Sequence, residues 1–228
     1  HPLAHNSLLF QGRSTARWIG SGPQVIPPGV DRGDQPDALP IVTRLQTHPA
    51  FSYVAVDYSG AYRNSNGRRV DWPYAERVVR EFLFLRGLDA VLVFDRMRAS
   101  SDSQLPFYFT GSWNEATDPL ALHIPAAQVV RTFVMHFEVA PTVSANRVSA
   151  TPGNQVAALI TLLPASPTYR VFNEDRPGDA LAGQHRLEMD STGSVESYFI
   201  NVVQGRDTGS PALAATLTDG GDRWTVQL

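Results

Sequence analysis

Punctuation constrains this chain more than any other feature. Glycine and proline, seventeen of each, are spread along all 228 residues, and between them lie short apolar runs. Gly and Pro set turns and break helices, whereas Val, Ile, Tyr and Phe suit the pleated, half-buried surface of a strand. A chain punctuated in this way is expected to be all-β. Its length suits one large β domain, or at most two small ones.

Twelve segments carry the strand signal: 7–11, 41–46, 53–58, 78–85, 90–96, 106–111, 129–139, 157–163, 168–172, 195–204, 212–217 and 224–228. LDAVLVFDRM is the clearest, a continuous apolar run bounded by Asp89 and Asp95, with SYFINVV next. One stretch argues for a helix instead. In PYAERVVREFL, Pro73 stands at a possible helix start, Glu76 and Arg80 are four apart, and Trp72, Val79, Phe82 and Arg86 fall near helical spacing. The strand reading puts Val79, Leu83 and Leu85 on one face and Val78, Phe82 and Phe84 on the other, then turns at Arg86-Gly87. The density of β-branched and aromatic residues in VVREFLFL favours the strand. Long polar segments, 19–40, 59–73, 100–104 and 173–184, connect these runs, and such loops are where binding residues tend to sit.

Several function classes fall away. All 19 basic residues are Arg, the net charge is −3, and no basic stripe suggests nucleic acid. No apolar run is long enough for a membrane helix. Without Cys there is no disulfide, thiolate metal site or Cys nucleophile. There is no GxSxG elbow, no phosphate-binding Gly loop and no calcium loop; TDGGD (218–222) reads as a turn. The chain opens on HPLAHNSLLF, with no initiator Met and no signal peptide, and is expected to be a piece of a longer protein.

Two groups of residues could carry chemistry. Of the six His, no two have metal-ligand spacing; His5 reads as a strand-end His and His136, in FVMHFEV, as a half-buried structural one. The segment YRNSNGRRVDWP and its flanks crowd Tyr58, Tyr62, Arg63, Arg68, Arg69 and Trp72 together. Aromatic faces stack on sugar rings and the Arg fork grips a carboxylate, so Tyr62, Arg63, Arg68 and Arg69 are candidates for binding an acidic sugar. An ordinary solvated loop with core aromatics at its base would look the same.

Taken in order, six segments resemble the heparinase II/III family of polysaccharide lyases. AHNSLLF (4–10) resembles its H-N-[ST]-L-L segment, YVAVDYSGAY (53–62) an early strand, and VVREFLFLRGLDAVLVFDRM (78–97) a strand pair ending in Asp-Arg. FVMHFEVAPTV (133–143), ALITLLP (158–164) and ESYFINVVQGRD (196–207) resemble later strands. The resemblance covers roughly residues 4–207. It implies a large antiparallel two-sheet β-sandwich of the super-sandwich type, a single domain over residues 1–228, as the C-terminal part of an enzyme whose missing N-terminal helical domain, an α/α toroid, carries the residues that perform elimination on uronic-acid-containing glycans. It also implies that His5 is a Zn²⁺ ligand in the intact parent, although the upstream metal motif of the family is absent here, so this chain alone would hold no metal. Residues 99–128 are longer than the family's usual connection. The expected partner is an acidic polysaccharide, with no nucleic acid and no membrane, and the expected location is the periplasm or outside the cell. The alternative is a stand-alone carbohydrate-binding or structural β-sandwich module.

Overall fold

The computed structural model describes residues 8–12, 40–59, 63–64, 72–73, 75–99, 104–105, 122–123, 125–173 and 185–228. Among these residues there are eighteen strands and no α-helix. They are β1 (Leu8–Gly12), β2 (Ile41–Thr47), β3 (Phe51–Asp57), β4 (Arg63–Asn64), β5 (Trp72–Pro73), β6 (Ala75–Leu85), β7 (Ala90–Ala99), β8 (Gln104–Leu105), β9 (Leu122–His123), β10 (Val129–Phe137), β11 (Thr142–Ser144), β12 (Arg147–Ala150), β13 (Gln155–Leu163), β14 (Tyr169–Asn173), β15 (His185–Ser191), β16 (Glu196–Asp207), β17 (Thr216–Asp219) and β18 (Trp224–Gln227).

Two antiparallel sheets make the body. The large one has eight strands in the order β11-β12-β13-β16-β7-β6-β3-β2, and the small one four, β1-β10-β15-β14. Side chains alternate across a strand, so one face of the large sheet meets the small sheet and the other faces away. On β16, Phe199 and Val203 point into the sandwich, while Ile200 and Val202 point outward. The inner core joins Phe10, Phe133, Phe137, Leu187 and Met189 of the small sheet to Val78, Met97, Val148, Leu159 and Phe199 of the large one. Full burial of each such side chain contributes about 1.5–3 kcal/mol. The outer face has its own apolar cover. Leu213, Ala215, Leu217, Trp224, Val226 and Leu228 pack on Ile160, Leu162, Ile200 and Val202. The hairpin β17–β18 therefore forms a cap over the middle of the large sheet.

The VVREFLFL segment is a strand: β6 pairs with β3 on one side and β7 on the other, where backbone hydrogen bonds and flanking apolar contacts both favour extension over the helix. It begins three residues earlier than expected. A 3₁₀ turn, Arg86–Leu88, then links β6 to β7 and ends at Asp89, whose φ is +45°. TDGGD makes the tip of the β17–β18 hairpin, with the Gly221 N–H donating to Asp219 Oδ1 at 2.8 Å and Gly221 at φ +84°. Three expectations need correction. The strand expected over 90–96 is longer: β7 runs on to Ala99, and Asp95 lies wholly buried within it. The strand expected over 212–217 sits later, at Thr216–Asp219, because residues 211–215 cross the large sheet as irregular cover. Strands β11, β12 and β15 were not expected at all. The expected strand 106–111 lies outside the described residues.

Candidate functional site

Arg63 is the one residue of the expected acidic-sugar group that falls among the described residues. Its backbone, in β4, pairs with Pro73 of β5. Tyr62, Arg68 and Arg69 lie outside the described residues, as does His5. The β4–β5 ladder does locate the root of the Arg-rich segment, since Trp72–Pro73 ends one residue before Ala75, where β6 begins.

That end of β6 opens onto the outer face of the large sheet, and the residues there carry the described site. Register sets Arg77 of β6 opposite Arg98 of β7, and Arg98 in turn opposite Glu196 of β16. In the next row Val79 faces Arg96, and Arg96 faces Tyr198. Arg98 Nε lies 2.7 Å from Glu76 Oε2. Arg96 Nε donates to Glu196 Oε1, and its guanidinium carbon sits 5.8 Å from the centre of the Tyr198 ring. Tyr198 stacks beside Phe94 with centroids 6.0 Å apart, and the edge of Trp224, from the hairpin cap, meets it at 4.9 Å. Arg77 is exposed and has no hydrogen bond or ion pair with any described residue. Among the described residues three guanidinium groups thus face two carboxylates, an excess of one positive charge.

The electrostatics follow from these contacts. The hydrogen bond from Arg96 holds the Glu196 carboxyl below its usual range, and the same bond raises Arg96. Burial, then the neighbouring Glu196, raises the Tyr198 phenol, so Tyr198 stays protonated at neutral pH and can donate a hydrogen bond. Nothing in this group is an activated base; its chemistry is anion and ring recognition.

Other polar groups were compared with it. A cleft of about 670 Å³ lies at the other end of the large sheet, lined by Asp89, Gln155, Gln204, Arg206, Asp207 and Ser210 among others. Arg206 spends its Nη1 on the Ser210 and Asp207 carbonyls, and two carboxylates outnumber the single guanidinium, so the cleft repels an acidic ligand. Inside the sandwich, Arg80 and Asp95 form a two-point ion pair, Nε to Oδ1 at 2.6 Å and Nη2 to Oδ2 at 3.0 Å, with Arg80 lying 5.5 Å over the Phe133 ring. Arg131, fully buried, donates to Ser197 Oγ and to the carbonyls of Ala126, Ser194 and Val195, and burial pulls its pKa down to about 10. These are structural ties that fix the sheets and the β15–β16 turn. His136 is half-buried on β10, as expected. No group of three or more His, Asp or Glu that could hold a metal occurs among the described residues, so the expected zinc has no donor set there.

No protein-family model matches the sequence, and no curated protein matches it. Solved structures match by shape. The heparan sulfate lyase HepC from Pedobacter heparinus superposes with a TM-score of 0.53 over 81% of this chain at 10% identity. Two heparinase III structures give 0.52 over 83% at 11% identity and 0.51 over 79% at 6% identity. The fold is shared with part of HepC and of these heparinase III structures. The chain spans only about a quarter of these lyases' length, 24% to 26% of each. At such identities the likeness to the lyases concerns the fold alone. All six family-like segments of the sequence overlap strands of that fold: β1, β3, β6 with β7, β10, β13 and β16. Sequence reasoning missed Arg77, Arg98, Tyr198 and Trp224 as a group. They are scattered over 148 positions, and only the register of β6, β7 and β16 brings the first three into adjoining rows.

Proposed function

We propose that this chain is the β-sandwich portion of a polysaccharide lyase that cleaves uronic-acid-containing glycans by β-elimination. The observation that carries the reading is the fold shared with a heparan sulfate lyase and two heparinase III structures across about four fifths of the chain. The excess of guanidinium groups on the outer face of the large sheet supports an acidic ligand. In such an elimination a base removes the C5 proton of the uronate, the C4–O4 bond breaks, an acid protonates the leaving oxygen, and a C4–C5 double bond remains. Neutralising the C6 carboxylate makes the C5 proton removable, and Arg is suited to that task. Tyr62, Arg63, Arg68 and Arg69 are proposed to contact the glycan from the β3–β6 connection. The base and acid are proposed to lie in a helical domain outside this chain. His5 is proposed to ligate a structural zinc of the sandwich in the intact parent, with its other ligands from outside this chain, since zinc takes four. The parent would work in the periplasm or outside the cell, where polymeric substrates are found.

The elimination product absorbs ultraviolet light as a conjugated enol ether, which gives a direct test with heparan sulfate. The longer gene product that carries this chain is expected to generate absorbance. The 228-residue chain alone is expected to generate none, because loss of even one acid–base group costs roughly 10²–10⁴-fold. Turnover by the chain alone would overturn the assignment of catalysis to another domain. No turnover by the longer product on any uronide polymer would overturn the lyase reading.

A further inference from the structure

We infer that the outer face of the large sheet at Arg77, Arg96 and Arg98 is a binding site for one acidic sugar residue, its carboxylate or sulfate gripped by Arg77 and its ring lying toward Tyr198. The inference rests on the acidic-glycan reading above and adds a place for the ligand that the fold likeness does not supply.

Three observations carry it. The first is the cross-strand pair Arg77–Arg98. Like charges placed directly opposite one another in a sheet destabilise it, and an anion between or above them removes that repulsion. The second is the local balance of charge. Arg96 is engaged by Glu196 and Arg98 by Glu76, but Arg77 has no such partner among the described residues and is exposed. One uncompensated charge matches one monovalent anionic group, so the site takes a single acidic unit. The third is the neighbouring ring system. Tyr198 stands in the row next to Arg77, and Arg77 acts electrostatically on its phenol. Tyr198 is half-buried and braced by Phe94 and Trp224, so its ring is held in place before any ligand arrives. A braced aromatic side chain loses little conformational entropy on contact with a sugar. Arg77 faces outward because it alternates with Val78, which enters the core opposite Met97; the bulge at Glu76 lets Ala75 return to the inner face beyond it.

The test is titration calorimetry of the 228-residue chain with heparan sulfate, an unsulfated uronic-acid polymer and neutral dextran at low salt. The chain is expected to bind heparan sulfate and not dextran. Arg77→Ala should weaken binding about three- to tenfold, the range of an exposed charge-assisted contact, with an unchanged unfolding midpoint. Arg77→Lys keeps the charge but loses the fork, and should fall between the two. Arg223→Ala removes an exposed Arg from the hairpin tip and should leave affinity as it was. Retention of binding by the unsulfated polymer assigns Arg77 to the carboxylate, and its loss assigns Arg77 to the sulfate. Unchanged affinity for Arg77→Ala, an equal loss for Arg223→Ala, or equal binding of dextran would each overturn the site. A parent chain that binds nothing also overturns it, whereas the lyase reading is decided separately by the elimination assay.

Discussion

Asp95 and Arg80 show what the interior of this sandwich demands of single residues. Their pairing is close and two-pointed, and both side chains are nearly or wholly excluded from water, 9% and 0% exposed. Burial pushes the Asp95 carboxyl up, against the pull of Arg80. Removing Asp95 takes from the buried Arg80 the carboxylate that balances its charge, so Asp95→Ala is expected to cost about 3–5 kcal/mol in urea denaturation. Replacing both together, Arg80→Met with Asp95→Leu, should cost far less, because no charge is left behind. The Arg96–Glu196 pair behaves differently, since Arg96 is a third exposed and solvent screens the pair. Glu196 titrates below its ordinary 4.5 in the folded chain. Its stabilising contribution is therefore complete above pH 4.5 and disappears as pH falls through the lower folded value. Glu196→Gln should flatten that acid limb of the stability curve by a few tenths of a kcal/mol, about the worth of a screened surface pair.

Strands that were legible in the sequence are the ones whose two faces are both apolar or cleanly alternating. LDAVLVFDRM reads as apolar throughout because β7 is covered on both sides: Met97 by the small sheet, Leu92 and Phe94 by the hairpin cap. β15 was illegible for the opposite reason. HRLEMDS alternates Leu187 and Met189, which enter the core, with Arg186, Glu188 and Asp190, and the charged set is itself largely buried in ion pairs with one another and Arg170. A strand with a buried charged face has the composition of a loop. The C-terminal hairpin lies between these extremes. Its edges were expected, but not that it would lie across another sheet. Trp224 is its anchor, touching both Phe94 and Tyr198. Trp224→Ala is expected to cost about 2 kcal/mol, less than a fully buried Trp, and to raise binding of a hydrophobic dye as Ile200 and Val202 lose their cover.

Seen whole, the two sheets are unequal, eight strands against four, and the edge strand β2 is exposed along its length. Ile41, Val42 and Leu45 are 59%, 59% and 70% exposed. The bulge at Thr43 and the charge of Arg44 interrupt what would otherwise be a flat, sticky edge. The candidate site reflects the same long-range assembly. The Arg-rich segment 59–73 drew attention because its residues are neighbours in sequence, whereas Arg77, Arg98 and Tyr198 are neighbours only after three strands from distant parts of the chain align.

The strand order has a consequence for how the protein is made. β16 lies at the centre of the large sheet, hydrogen-bonded to β7, yet Arg96 and its partner Glu196 are 100 residues apart. On a ribosome adding about 5–20 residues each second, the meander β2-β3-β6-β7 emerges and then waits roughly 5–20 s with the edge of β7 open. That edge belongs to a strand whose first half, Ala90–Phe94, is apolar throughout. Nascent copies of this protein pass through an interval in which their best surface for pairing with a neighbouring polypeptide is the one later sealed by their own C-terminal third.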